Sequence, residues 1–205
     1  MSLVNDADRQ MIADAIRAAE ARTSGEIVAV IASESASYLS VPVLVAALIA
    51  LVAPWPFIVF TWFTVQWIYG MQLLVFLVVL SVLMPRPVRF LCVPQSIQRS
   101  RAHNRAIEQF LVHEIDSSIG RNGALVYVSV AERYAEIVSD TRLHSTISPS
   151  EWQSIVDDMT VLIGDGKPGE AIADAITKIG AIMAKHLPST ASDVRRLPDH
   201  LIVLD

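Results

Sequence analysis

A chain of 205 residues, 53% hydrophobic, with 16 basic and 21 acidic side chains, carries a formal net charge of -5. That balance excludes nucleic acid as a main partner, because binding phosphate needs a basic face. The single cysteine, Cys92, excludes an intramolecular disulfide, and between Leu91 and Val93 it reads as a small apolar side chain.

The first twenty residues hold Asp6, Asp8, Asp14 and Glu20 and contain no apolar segment of the signal-peptide kind. From Asp6 to Arg22, Met11, Ala15, Ala18 and Ala19 recur at helical spacing, with acids in the first turns. Thr23-Ser24-Gly25 ends that helix. Glu26 to Ala32 is β-branched and almost wholly apolar, the pattern of a strand buried on both faces of a sheet.

From Ser35 to Pro85 there are 51 residues without Asp, Glu, Lys, Arg or His. Crossing the hydrocarbon core takes about 20 apolar residues at the helical rise, so the run holds two crossings and a short bend. The spacing predicts a transmembrane helical hairpin in 35–85, with crossings at about 41–60 and 68–84 and the bend within 61–72. Pro54 and Pro56 are positioned to kink or end the first crossing. Trp55, Trp62, Trp67 and Tyr69 fit an aromatic belt at one interface. One re-entrant segment plus one span is the competing reading. With no leader segment legible, the run itself is expected to direct insertion. Arg86, Arg89, Arg99, Arg101 and Arg105 follow it with no acid before Glu108, only Arg22 lies close before it, and the bend has no Lys or Arg. Counting positive charges places both termini in the cytoplasm of a bacterial-type inner membrane, multi-pass, with the bend outside. The five arginines are also candidates for contact with anionic lipid headgroups. Residues 86–94 form a basic connector beside the membrane.

Beyond the connector, Ile97 to Ile119 is amphipathic, with Ala106, Phe110, Leu111 and Ile115 on one side, and Gly120-Arg121-Asn122-Gly123 stops it. Ala124 to Val130 reads as a second buried strand and Tyr134 to Ser139 as a third. The tight Ala131-Glu132-Arg133 link predicts an antiparallel hairpin. A capping box with proline at the first helical position opens a helix at Ser148-Pro149-Ser150-Glu151, burying Trp152, Ile155, Val156, Met159 and Ile163. Gly164-Asp165-Gly166 breaks it. A last helix runs from Pro168, through Ile172, Ile176, Ile179 and Met183, to Lys185 and His186. The tail, 189–205, is polar but ends Leu201-Ile202-Val203-Leu204, which is open to docking as an edge strand or to staying loose. Residues 1–34 and 95–188 thus read as one discontinuous α/β domain.

The first two strands are joined by a crossover containing a helix, so they should be parallel. The first strand leads directly into the membrane segment, so the carboxyl ends of both are expected to face the bilayer, where open α/β sheets place ligands. Glu34, Glu132 and Asp140 are the candidate carboxylates for a divalent cation, Ca²⁺ or Mg²⁺, with Glu34 and Glu132 at one rim. Glu26, Asp157 and Asp158 are further acids, of which the last two are adjacent mid-helix, so one alone can face a pocket. His103 and His113 point in different directions on one helix, and His144 stands in a loop. His113-Glu114 has no second histidine at metalloprotease spacing, and Gly164-Asp165-Gly166-Lys167 lacks the glycine, the hydroxyl and the preceding strand of a phosphate loop. No nucleophile-elbow motif occurs.

Thr23-Ser24-Gly25-Glu26-Ile27-Val28 resembles the opening strand of the TPM domain family. Asn122 to Val128, Ala131 to Ile137 and Glu170 to Pro188 resemble its later strands and closing helix. The resemblance implies a Rossmann-like α/β sandwich with a small mixed sheet, here interrupted by the membrane hairpin. It also implies a family in which some members are acid phosphatases of the photosynthetic membrane and some bind divalent cations. The chain departs from that pattern where the hairpin replaces the polar loop after the first strand. It departs again where Asp140-Thr141-Arg142-Leu143 replaces a glycine-rich segment. Both departures favour the branch of short, two-span members. The leading reading is a non-catalytic membrane module that meets a membrane or cytoplasmic protein or a lipid surface; a metal-assisted phosphatase is the alternative.

Overall fold

The computed structural model describes residues 4–60, 64–113, 122–189 and 201–204, without the side chains of Phe60, Arg86 and Pro87. The chain divides into two compact units, Met1–Ser35 with Arg99–Asp205, and Ala36–Gln98.

In the first unit, helix α1 (Asp6–Glu20) starts at Asn5, whose side chain accepts from Asp8 N at 2.7 Å while Asp8 accepts from Asn5 N at 3.2 Å. This reciprocal cap satisfies two of the amides that a helix start leaves open. Strand β1 (Glu26–Ala32) follows, buried from Ile27 onward. It pairs in parallel with β2 (Gly123–Ser129) over seven residues, Glu26 opposite Gly123 through Ala32 opposite Ser129. Strand β3 (Tyr134–Ser139) returns antiparallel beside β2, as the tight link predicts. The terminal strand β4 (Ile202–Leu204) pairs in parallel with β1, giving a mixed sheet of order β3-β2-β1-β4. The tail therefore docks as an edge strand.

Alternation of side chains along the strands divides the apolar residues into two layers. Ile27, Ala29 and Ile31 of β1 and Ala124, Val126 and Val128 of β2 point into the larger core. That core is closed by Ile12 and Ile16 of α1, by α8 (Pro149–Gly164) and by α9 (Pro168–His186). Val28, Val30, Leu125 and Tyr127 point the other way, onto Ala106 and Phe110 of α6 (Gln95–Val112). Covering both faces explains why β1 and β2 read as unbroken apolar runs. Helix α8 begins with the predicted capping box at Ser148 and Glu151. The end of α9 is pinned where Thr23 Oγ1 donates to Leu187 O at 2.7 Å and Thr23 bridges Pro188.

The structure differs from expectation in two places. A short helix, α7 (Thr141–Thr146), lies where His144 was expected in a loop, because Asp140 caps it through Arg142 N and Leu143 N. Strand β2 is shifted one residue toward Gly123. Helix α6 is described only to Val112, and Ile115, Ile119, Gly120 and Arg121 lie outside the described residues, as does Trp62.

In the second unit, α2 (Ser40–Val52) and α3 (Pro54–Phe60) meet at Ala53, where Pro54 supplies no amide for the helical ladder. Together they give an apolar helical stretch, Ser40–Val59, and α4 (Val65–Leu83) gives a second, each long and apolar enough to cross a membrane by length and composition. Helix α2 packs on α4. Pro42, Ala46 and Ala50 of α2 are buried at i, i+4 and i+8, a row of small side chains of the kind that lets helices approach closely. A short helix α5 (Arg86–Leu91) occupies the connector; its Phe90 ring meets Tyr38 edge-on at 5.1 Å, and Gln98 donates to Phe90 O and Val93 O.

Helix α1 lies against α9 through small residues. A Cβ added at Gly180 would overlap the Ala19 side chain and sit 3.0 Å from its Cα, whereas one at Gly164 would meet open space. Gly180→Ala should therefore lower stability by about 1–3 kcal/mol, as overpacking does. Gly164→Ala should leave stability unchanged or raise it by up to about 1 kcal/mol. Denaturant midpoints of the two variants check this pair.

Candidate functional site

One group of polar residues of the α/β unit lies at the carboxyl ends of β1 and β2, on the α6 side of the sheet. Tyr127 and Ser129 sit two apart on β2 and so share that face; both are fully buried. The Tyr127 hydroxyl lies 3.0 Å from the Ser35 hydroxyl, at the exit of β1. Glu132, in the turn after β2, accepts from Ser35 N at 2.9 Å with Oε1 and from the Ser129 hydroxyl with Oε2. Backbone bonds close the same corner, Val130 N to Ala32 O and Ala131 N to Ser33 O, both at 3.1 Å. Arg133 completes the turn at φ +48°, a left-handed conformation rare outside glycine, with its amide bonded to Val130 O.

A second polar group lies on the same side. His103 Nδ1 of α6 is 2.7 Å from Glu136 Oε1, and the Tyr134 hydroxyl donates to Glu136 Oε2 at 3.0 Å. Burial raises Tyr134 well above its ordinary value of 10.0, and the neighbouring Glu136 adds to the shift through its charge and its hydrogen bond. Burial also raises Tyr127, opposed by the hydrogen bond with Ser35 and reinforced by the charge of Glu132. Both phenols are thereby held neutral.

The three carboxylates expected to share a cation do not converge. Glu132 is at the turn joining β2 to β3, whereas Asp140 follows the far end of β3, beyond Ser139 paired with Ala124. Six residues of strand separate them, about 20 Å. Asp140 is buried and spent on backbone amides, accepting from Gly123 N at 2.9 Å, Arg142 N at 2.9 Å and Leu143 N at 3.1 Å. Glu34 is half-buried, one residue before Ser35. Among the described residues, no group of three or more His, Cys, Asp or Glu could hold a metal ion.

The arginines also have separate fates. Arg89 is buried on α5, Arg99 is exposed, and Arg105 of α6 pairs with Glu108 at 2.8 Å. Arg101 is half-buried, and the side chain of Arg86 lies outside the described residues. Sequence reasoning found Glu132 but missed its partners Ser35, Tyr127 and Ser129. The available signal was the two polar groups at i and i+2 in an otherwise apolar strand. It also missed Glu20, a buried carboxylate at the end of α1 that accepts from Ile27 N at 3.0 Å.

Residues 86–182 match the TPM domain family. No curated protein matches the chain in sequence. Among solved structures, the chain is similar to the BA42 protein of the psychrophilic bacterium Bizionia argentinensis, determined by NMR. The TM-score is 0.62 and the identity 18%, covering 98% of this chain and 96% of that one. Identity that low bears on the fold alone. A TPM domain is thus present, on a mixed α/β fold with a small four-stranded sheet.

Two outcomes follow from the site. Glu132→Ala leaves the Ser35 amide and Ser129 hydroxyl unsatisfied and should cost about 1–3 kcal/mol in denaturant unfolding. A phenol raised in the folded state stabilises fully below its unfolded value of about 10 and loses that contribution as pH climbs through the folded value. Stability should therefore fall with rising pH above about 10, and Tyr134→Phe should flatten that fall; unfolding curves across this range check the slope.

Proposed function

We propose that this chain is an integral membrane protein that presents its TPM domain on the cytoplasmic face of a bacterial-type inner membrane. There it serves as a module for interaction with lipid or protein partners. The observation that carries this reading is α4: 19 residues, mean hydropathy 1.9, none of them buried. Leu73, Leu74, Leu77, Val78 and Val82 all stand at least half exposed. A helix apolar all round has its stable place in an apolar solvent, where its backbone is already satisfied internally. The paired helix Ser40–Val59, at mean hydropathy 2.3, supplies the second crossing.

The arginine distribution supports cytoplasmic termini, because Arg86 to Arg105 follow the second crossing while the bend carries no positive charge. Near an anionic leaflet each exposed arginine contributes about 1 kcal/mol of attraction, which makes lipid headgroups a natural first partner. The parallel β1–β2 crossover supports a Rossmann-like description of the sheet. The distribution of carboxylates favours an interaction module over a metal-assisted phosphatase: Glu132 is engaged by protein donors and Asp140 is a helix cap, at opposite ends of a hairpin.

Membrane fractions washed with alkaline carbonate should retain the protein, and release into the supernatant would overturn the reading. Reporters fused after residue 66 and at the C-terminus should signal from opposite sides of the membrane, with the C-terminal one cytoplasmic. Phosphomonoester hydrolysis in Mg²⁺ or Ca²⁺ should be the same for the wild type and Glu132→Gln; metal-dependent activity lost in the variant would restore the phosphatase.

A further inference from the structure

Helix α6 and strand β3 start at the same end of the sheet. His103 of α6 meets Glu136 of β3 at 2.7 Å. Arg99 lies four residues back on the same face of the helix, about 6 Å toward its start. Tyr134 lies two residues back on β3, about 7 Å toward the β2–β3 turn, on the face it shares with Glu136. The two displacements match. In keeping with them, the charge of Arg99 acts on the Tyr134 phenol, opposing the rise that burial and Glu136 impose. Arg133 is the residue before Tyr134, at the corner of the turn. Two arginines, one from each element, therefore stand at one rim of the sheet.

Both arginines are exposed, and among the described residues neither forms an ion pair or a side-chain hydrogen bond. The acids at that rim turn inward instead. Glu132 holds Ser35 N and the Ser129 hydroxyl, and Glu136 holds His103 and the Tyr134 hydroxyl. Glu34 is half-buried and engaged as well. The rim thus turns positive charge outward on a chain whose net charge is -5. Arg133 also stands at φ +48°, a conformation that costs any residue with a Cβ and that glycine adopts freely. Within the described residues no bond to its guanidinium offsets that strain, which points to a partner outside the fold. The chain itself limits where that partner lies. Glu132, beside Arg133, is bonded to Ser35 N. Ser35 precedes Ser40, the first residue of the apolar helical stretch, by five residues, a covalent reach of at most about 18 Å.

We propose that Arg133 of the β2–β3 turn and Arg99 of α6 form a binding site for the phosphate of anionic lipid headgroups. The chemistry is guanidinium against phosphate, charge-assisted and open to two parallel hydrogen bonds. A free phosphate ion offers the same chemistry, but the short reach from Ser35 to the apolar helices keeps the headgroup layer close to this rim. The inference rests on the membrane reading and deepens it. It names where the domain touches the leaflet, and it adds Arg133, a residue outside the arginine run that follows the second crossing.

Hydrogen exchange of the segment Ala131–Tyr134 tests this, on full-length protein in nanodiscs of phosphatidylcholine alone or mixed with phosphatidylglycerol. Exchange should slow about fivefold or more in the anionic discs. The slowing should persist, reduced, in Arg133→Lys, which keeps the charge, and Arg99→Gln should weaken it. It should vanish in Arg133→Gly, a variant that relaxes the backbone and so does not lose the signal by unfolding. Equal exchange in both kinds of disc, or slowing that survives Arg133→Gly, overturns the proposal. So does equal slowing by inorganic phosphate in discs of phosphatidylcholine alone, which would make the ligand a free anion. Retention of the protein in the phosphatidylcholine discs reports the membrane reading by itself, so the two fail separately.

Discussion

Parallel pairing of β1 with β2 is the constraint on which everything else depends. Seven residue pairs join strands that are separated in sequence by everything from Ser33 to Asn122. Closing so long a connection costs surprisingly little. Chain-closure entropy grows as the logarithm of length, so extending an ordinary crossover of about 30 residues threefold adds only about 1 kcal/mol. The buried Ile27, Val28, Val30 and Ile31 of β1, each contributing about 1.5–3 kcal/mol, exceed that several times over. An apolar hairpin can therefore interrupt the domain without preventing its sheet from forming.

The corner where the interruption begins is closed by Glu132. One carboxylate oxygen accepts from the Ser35 amide at the exit of β1, and the other accepts from Ser129 at the end of β2. With the bonds of Val130 and Ala131 to Ala32 and Ser33, this ties the departing chain to the β2–β3 turn. A carboxylate used that way is a clamp. Its neighbour Tyr127 completes the polar lining under α6 by sharing a hydrogen bond with Ser35. The same economy governs Asp140, which secures the opposite end of the hairpin by capping α7 and holding Gly123 N. Two of the three acids that looked like metal ligands thus serve the fold, at positions too far apart to meet.

Much of the fold was legible because its signals are local and strong. The β-branched run of β1, the tight link at Ala131–Arg133 and the capping box at Ser148 each act within a few residues, and each led to the right element. Helix α7 was missed because it is one short turn system started by a single aspartate whose side chain also reaches back to Gly123. Asn5 as a cap was missed for a similar reason: its reciprocal partner is Asp8 where a glutamate or glutamine is usual. The site was legible only in part. Burial of Tyr127 and Ser129, and the reach of Glu132 to Ser35, depend on a pairing between residues about a hundred positions apart, which no local pattern encodes. The docking of Leu201–Leu204 is non-local in the same way, since it requires an open β1 edge.

The native tryptophans offer the most direct measurement. Trp55 and Trp67 lie on the apolar helices and stand largely exposed, whereas Trp152 is buried in the α/β core. Single-tryptophan forms reconstituted into bilayers with brominated acyl chains report contact with lipid through fluorescence quenching. Strong quenching of Trp55 and Trp67 with none of Trp152 is the result expected for a membrane hairpin set into an α/β domain. Equal quenching of all three, or none at Trp55 and Trp67, would contradict it.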